Sequence, residues 1–315
     1  MTLDPTAVAQ AAQHLNGIVN RTPVMTSRTL NQLTGREIFC KCENFQRVGA
    51  FKFRGAYNVI SQLSSTEKAA GVITHSSGNH AQGLALAAQL QSVQATIVMP
   101  DDAPAIKKAA TAGYGAEIVP CPAVDREVVC DALIAEHGYT LIHPYDNDNI
   151  IAGQGTAAWE LLDEVGDLDI LLAPVGGGGL ISGTALAAAG RSPGCRVIGV
   201  EPALADDASR SWRDNQIYTL DTVPHTIADG LRTRYIGQRN LAVMRQYVHN
   251  MLTADEDTII AALKFLWQRL KLVVEPSAAV PLAPFLSGQY TGPGRRVGII
   301  LSGGNADVAA LTSYF

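Results

Sequence analysis

From residue 71 to about 143 the chain alternates short runs of consecutive apolar residues with longer stretches whose apolar positions recur at helical spacing. "GVITHSSGNHAQGLALAAQLQ" opens with a strand over about 71–75, breaks at a polar turn and continues as an alanine- and leucine-rich helix. "ATIVMP", "PAIKKAATAGYG", "AEIVPC", "DREVVCDALIAEHG" and "YTLIHP" carry the alternation on, strand then helix. It resumes at 150 with the helix "IAGQGTAAWELLDEV", the strand "DILLAPV", the helix "LISGTALAAAG" and the strand "RVIGVE", and a last strand, "RRVGIIL", lies near the C-terminus. Uncharged strands alternating with helices predict parallel sheets covered on both faces. The run 72–146 forms a four-unit block, and the N-terminal 65 residues join the second half. The predicted fold class is α/β, with two open, twisted, parallel-type sheets and flanking helices. The smaller domain (66–148) is inserted into the larger (1–65 and 149–315).

Composition narrows the partners. A net charge of −5, with Lys and Arg scattered and no basic run interleaved with aromatics, argues against nucleic acid. No apolar run approaches the roughly 20 residues of a membrane helix. The start "MTLDPTAVAQAAQ" has neither the basic nor the apolar region of a signal peptide. A cytoplasmic protein is expected. Its five cysteines, at 40, 42, 121, 130 and 195, include no pair at metal or redox spacing and read as ordinary buried thiols.

Four short stretches carry candidate chemistry. In "GAFKFRGAYN", Lys52 lies between Phe51 and Phe53, and a desolvated lysine has the lowered pKa that Schiff-base chemistry uses. "PVGGGGLISG" puts Gly176, Gly177, Gly178 and Gly179 between a strand and a helix start, where converging backbone amides and the helix dipole bind a phosphate. It has neither the Lys-Ser/Thr of a nucleotide-binding P-loop nor dinucleotide spacing. "THSSGNHAQG" offers Ser76, Ser77, Asn79 and His80 around a second helix N-terminus, suited to a carboxylate or to simple capping. "LSGGNADV" places Ser302 at the end of the last strand. An imine-forming lysine, a single-phosphate cup and polar turns for a small carboxylate describe pyridoxal 5′-phosphate better than a nucleotide.

The ordered set "FKFRGA", "SSGNHAQG", "GGGGLISG", "EPALADD", "IADGLRT", "VEPSAA" and "LSGGN", spread over nearly the whole chain, resembles the serine/threonine dehydratase and serine racemase family of fold-type II (tryptophan synthase β-like) pyridoxal-phosphate enzymes. The resemblance implies that Lys52 holds the cofactor covalently and later serves as acid and base at Cα, with Phe51 against the ring. It implies Asn79 on the phenolic oxygen, the amides of Gly176 to Gly179 and Leu180 on the phosphate, and Ser302 at the pyridine nitrogen. A hydroxyl there favours a neutral ring and so a shallower electron sink, which suits prompt β-elimination. It further implies the substrate carboxylate at Ser76, Ser77, Asn79 and His80, with Ser77 as a second acid/base on the opposite face, which keeps racemisation open.

"VEPALADD" places Glu201, the carbonyl of Ala205 and Asp207 at the spacing of a hard-cation site, Mg²⁺, Ca²⁺ or Mn²⁺, and the resemblance includes that site; helix capping by Asp206 or Asp207 is the alternative. Tyr145 and Asp146 follow His143-Pro144 where some racemases of the family carry Asn, which weakens the racemase reading. Arg232 and Arg234 are surface charges or, facing the pocket, a reason to consider 3-hydroxyaspartate; Arg126 either guards the pocket's edge or lies on a solvated helix face. The resemblance thus implies L-serine or L-threonine dehydration to a 2-oxo acid and ammonia. Serine racemisation, a bifunctional enzyme and L-threo-3-hydroxyaspartate dehydration are the alternatives, and a silent amino-acid-binding module is a rival of another class. A homodimer is the family-level expectation. No regulatory domain fits beyond about residue 315, so isoleucine is not expected to inhibit.

Overall fold

The computed structural model describes residues 3–103 and 105–315; Met1, Thr2 and Pro104, which begin two of the segments considered above, lie outside the described residues. Among the described residues, ten strands form two sheets. β1 (Val24–Met25), β2 (Glu37–Cys42), β7 (Ile170–Pro174), β8 (Arg196–Pro202), β9 (Asn250–Ala254) and β10 (Arg296–Leu301) make the larger, in the order β1-β2-β10-β7-β8-β9. β3 (Val72–His75), β4 (Ala95–Pro100), β5 (Glu117–Cys121) and β6 (Thr140–Leu141) make the smaller, in the order β5-β4-β3-β6. All pairs are parallel except β1 with β2. The four strands of the small sheet come from one unbroken stretch of chain between β2 and β7.

Both sheets are covered on two faces, and side-chain alternation sorts their residues accordingly. Leu172, Ile198 and Ile299 enter one core of the large sheet, while their neighbours Leu171, Val197 and Ile300 enter the other. Ile97 and Val98 divide in the same way between the faces of the small sheet. All five cysteines are free and buried.

Two features place the helix that carries Lys52 (Lys52–Ser61). First, it crosses the long helix Asp148–Val165 at a glycine contact: a Cβ on Gly153 would lie 2.6 Å from the Cα of Gly55. Second, Arg54 is fully buried and ion-paired to Glu43 (2.7 Å) and Glu160 (2.8 Å), and Glu160 also pairs with buried Lys41 at 2.7 Å. Burial disfavours the Arg54 cation, yet the two carboxylates outweigh it and hold its pKa above the ordinary value. The helix is thereby bolted, two residues from Lys52, to the residue that follows β2 and to the long helix Asp148–Val165.

Candidate active site

In open α/β sheets, the loops beyond the carboxyl ends of the strands form the ligand crevice. Here the loops after β3, β7 and β10 line one cleft of about 510 Å³. Its wall contains Phe51, Lys52, Ser76 to His80, Gly176 to Leu180 and Ser302, so the residues marked in the sequence for cofactor and substrate are brought together. Glu201, Ala205 and Asp207 lie outside this wall.

Lys52 is the first residue of its helix, and its Nζ donates to the carbonyl of Pro144 at 2.7 Å and sits 5.3 Å from the centre of the Phe51 ring. Burial lowers its pKa to about 8, with nearby Glu275 opposing the shift. The carbonyl that holds it is aimed by a tight turn, in which His143 Nδ1 accepts the amides of Tyr145 (3.3 Å) and Asp146 (2.9 Å). Burial, with His75 nearby, pushes the His143 pKa down to about 4, so the ring remains an acceptor at neutral pH.

The glycine turn has no room for side chains. A Cβ on Gly177 would fall 2.3 Å from the Tyr145 ring, and Gly178 has φ +95° with Asn240 2.8 Å from its would-be Cβ. The Gly177 carbonyl is tied off by the amide of Gly237 (3.1 Å) and Asn240 Nδ2 (2.9 Å). The amides of Gly176 to Leu180, by contrast, donate to no protein group among the described residues and open the helix Gly179–Arg191. Undonated amides at a helix N-terminus are the donor set that a phosphate requires. Ser302, almost wholly buried, accepts the Phe51 amide on its carbonyl (3.0 Å) and so couples the end of β10 to the start of the lysine helix.

Ser76 and Ser77 line the cleft before the helix Asn79–Leu90, whose N-terminus has no side-chain cap. His80 differs from its neighbours. Its ring is buried with Nε2 3.2 Å from the Ile142 carbonyl, and burial, reinforced by Lys52, holds it neutral. The turn therefore offers a carboxylate hydroxyls and amides rather than an imidazolium.

Glu275 belongs to the site as well, although the sequence assigns it no role within "VEPSAA". It is buried, accepts from Asn79 Nδ2 at 2.9 and 3.0 Å, and has its pKa pushed by burial to about 7 against the effect of that hydrogen bond. A single acid in the otherwise uncharged run "LVVEPSAAVPLAPF" is the signal that could have found it. Arg126, Arg232 and Arg234 also line the cleft. Among the described residues none of the three is ion-paired; each holds a backbone carbonyl, of Ala123, Thr226 and Leu220 respectively.

At the end of β8, Glu201 accepts the amides of Ala208 (3.2 Å) and Ser209 (2.7 Å) and is fully buried. Burial pushes its carboxyl up to about 8 and that of Asp207 up to about 7. Asp207 Oδ2 is buried without a partner, and Ala205 closes the turn between them. No group of three or more His, Cys, Asp or Glu side chains that could hold a metal occurs among the described residues. No helix among them is long and apolar enough to cross a membrane.

Two parallel-type sheets whose strand ends converge on a glycine turn of undonated amides and a desolvated lysine fit an enzyme class that works through an aldehyde-bearing phosphate cofactor. The chain belongs to the pyridoxal-phosphate dependent enzyme family, whose model matches residues 15–303. It is 52% identical to the L-threo-3-hydroxyaspartate ammonia-lyase of Saccharomyces cerevisiae, over 96% of this chain and 93% of that protein. It is 46% identical to the serine racemase of Schizosaccharomyces pombe, over 96% and 94% of the two chains. A solved threonine deaminase from T.th. superposes with a TM-score of 0.92 at 44% identity, covering 96% of this chain and 99% of that one. The chain is thus an enzyme of the group that contains ammonia-lyases and serine racemases.

Proposed function

We propose that the protein is an ammonia-lyase that eliminates water from L-threo-3-hydroxyaspartate to leave an enamine whose hydrolysis takes up one water and releases ammonia and a 2-oxo acid, with L-serine and L-threonine as poorer substrates. The observation that carries this reading is the set of three arginines on the cleft wall, Arg126, Arg232 and Arg234, with no carboxylate partner of their own among the described residues. Serine and threonine need one anionic subsite, which Ser76, Ser77 and the helix amides supply; a second carboxylate needs a cation. The similarity to a hydroxyaspartate ammonia-lyase supports the same choice.

When bound, pyridoxal phosphate supplies an electron sink for the charge that develops at the substrate Cα. The amides of Gly176 to Leu180 would hold its phosphate, Asn79 would donate to its phenolic oxygen, and Ser302 would place a neutral hydroxyl at its ring nitrogen, since all of them line the one cleft. Lys52 would anchor it through its amine, and the same amine is the base that takes the proton from Cα of the substrate. A pKa lowered to about 8 leaves a usable fraction of free amine near neutral pH. Ser77 is the acid/base of the opposite face. The β C–O bond then breaks, the hydroxyl leaves with a proton as water, and the enamine takes up water and releases ammonia to give a 2-oxo acid.

The test follows ammonia and 2-oxo acid release from L-threo-3-hydroxyaspartate, L-serine and L-threonine side by side. Arg232→Ala or Arg234→Ala is expected to lower kcat/KM for hydroxyaspartate roughly 10–100-fold, the worth of a charge-assisted hydrogen bond, and to leave serine unchanged. Equal losses on both substrates, or none, would remove the arginines from the substrate site. Ser77 and the similarity to a serine racemase support a second activity, exchange of L- and D-serine; chiral analysis that finds no D-serine at any time disposes of it.

We also propose that Glu201, the Ala205 carbonyl and Asp207 hold Mg²⁺ or Ca²⁺. Two buried carboxylates, one with an unpartnered oxygen, fit a hard cation better than they fit each other. Added Mg²⁺ or Ca²⁺ should raise the Tm of the metal-stripped protein and do nothing for Asp207→Asn. A parent protein whose Tm ignores both ions would exclude the site.

A further inference from the structure

Amide side chains present an oxygen at one end and a nitrogen at the other, and only their neighbours decide which way round they sit. In the cleft two such amides are chained. Asn305 Nδ2 donates to the carbonyl of Val48 at 2.7 Å and to Asn79 Oδ1 at 2.8 Å. Val48's carbonyl is acceptor-only, so it fixes the nitrogen of Asn305, and that nitrogen in turn fixes the oxygen of Asn79. The nitrogen of Asn79 then faces the two oxygens of Glu275 at 2.9 and 3.0 Å. Glu275 is 4% exposed, forms no ion pair among the described residues, and is hemmed in by the turn after β10: its Oε1 lies 2.9 Å from where a Cβ on Gly303 would be. Its main chain is pinned to the same turn, its amide donating to the Gly303 carbonyl at 3.1 Å. Lys52 is close enough to feel this carboxylate but makes no ion pair with it, so among the described residues the one side chain that Glu275 holds directly is the Asn79 amide.

We propose that Glu275 is a positioning residue that acts through Asn79: with Asn305 it locks the Asn79 amide so that its N–H edge, and not its oxygen, is presented to the phenolic oxygen of the cofactor. The assignment rests on the cofactor reading above. An N–H in that place favours the ionised phenolic oxygen and with it the yellow form of the bound cofactor; a flipped amide would set two oxygens against each other. One Asn79 hydrogen stays on Glu275 and the second serves the cofactor.

The experiment loads the parent protein, Glu275→Gln, Glu275→Ala, Asn79→Ala and the Glu275→Ala/Asn79→Ala double variant with pyridoxal phosphate. It records the absorption spectrum and the cofactor Kd of each. Glu275→Ala is expected to shift most of the yellow band into the near-ultraviolet and to weaken cofactor binding about tenfold, the size of one directed hydrogen bond. Glu275→Gln, whose oxygen accepts the same N–H, should keep the parent spectrum. The double variant should be no worse than Asn79→Ala alone, because the two residues act in series. Asn305→Ala, which removes the other anchor and leaves Glu275 in place, should show a weaker version of the same shift even where Glu275→Ala folds poorly. A parent-like spectrum and Kd in Glu275→Ala or in Asn305→Ala would overturn the proposal, as would Glu275 and Asn79 effects that simply add. A parent protein that takes up no cofactor would bring down the cofactor reading and this assignment with it, and that outcome is recognised before any variant is compared.

Discussion

Lys52→Ala is expected to abolish turnover, by roughly 10³-fold or more, and to leave a protein that no longer forms a yellow complex with pyridoxal phosphate. The amine is both the anchor and the base in the proposed reaction, so the loss cannot be divided between binding and chemistry. The lysine also makes a separate, pH-dependent expectation. Capture of an aldehyde needs the uncharged amine, whose fraction in the cofactor-free protein is governed by a pKa lowered to about 8 through burial. The rate of cofactor uptake should therefore climb about tenfold per pH unit on the acid side and level off above pH 8. Uptake by Lys52→Ala at the parent rate and colour would sink the assignment of Lys52. A pH-independent rate would show instead that some other step limits capture.

The largest expected effect on stability comes from Arg54→Ala. It leaves Glu43, fully buried, and Glu160, largely buried, without the guanidinium that compensates them. Breaking a buried pair from one side costs about 3–5 kcal/mol, most of it the penalty of the stranded charge. The loss should appear as a clear fall in Tm by calorimetry. The carboxyl of Glu160 supplies the pH signature. Desolvation would raise its pKa, but hydrogen bonds and charge from Arg54 and Lys41 outweigh it and hold it below the ordinary value. A depressed carboxylate contributes stability above its unfolded pKa and loses it as pH falls through the folded one. The gap in Tm between parent and variant should accordingly narrow as the solution is acidified. A variant that melts with the parent at neutral pH would show the network to be dispensable.

Much of this architecture could be read from the chain because the strands of a two-face-covered sheet announce themselves. β3, β4, β7, β8 and β10 are short, apolar and bounded by glycine or polar turns. β2 escaped that reading. Its "EIFCKC" contains Lys41, a residue no core strand is expected to carry, and the lysine is tolerated only because Glu160, 119 positions later, meets it at 2.7 Å. β9, with Asn250 and Thr253 in an exposed or half-buried edge strand, has no apolar run to betray it, and β6 shrinks to two residues of "YTLIHP". The antiparallel pairing of β1 with β2 likewise leaves no periodic trace.

The site divides along the same line. Turns that follow strands carry their chemistry locally, so Gly176 to Gly179, Ser76 to Asn79 and Ser302 were legible from composition and position. Contacts between distant segments were not. Glu275 lies 196 positions from Asn79, and Tyr145 packs on Gly177 from a separate loop. His80 joins both kinds of signal: it lines the cleft beside Asn79, while its Nε2 lies 3.2 Å from the carbonyl of Ile142, 62 positions away.

The order β1-β2-β10-β7 means that the last strand to be synthesised fills the gap between an early strand and a middle one, with Arg296 registered against Glu37 and Val297 against Ile170. On the ribosome the small sheet has all its strands once residue 141 emerges, while β2 waits with only the two residues of β1 beside it. Ser302 follows the same strand and leads into the turn against Glu275, so one late segment completes both the large sheet and the cleft wall. Such a chain spends its synthesis with an open, apolar sheet edge on display, the state in which nascent chains depend most on chaperones.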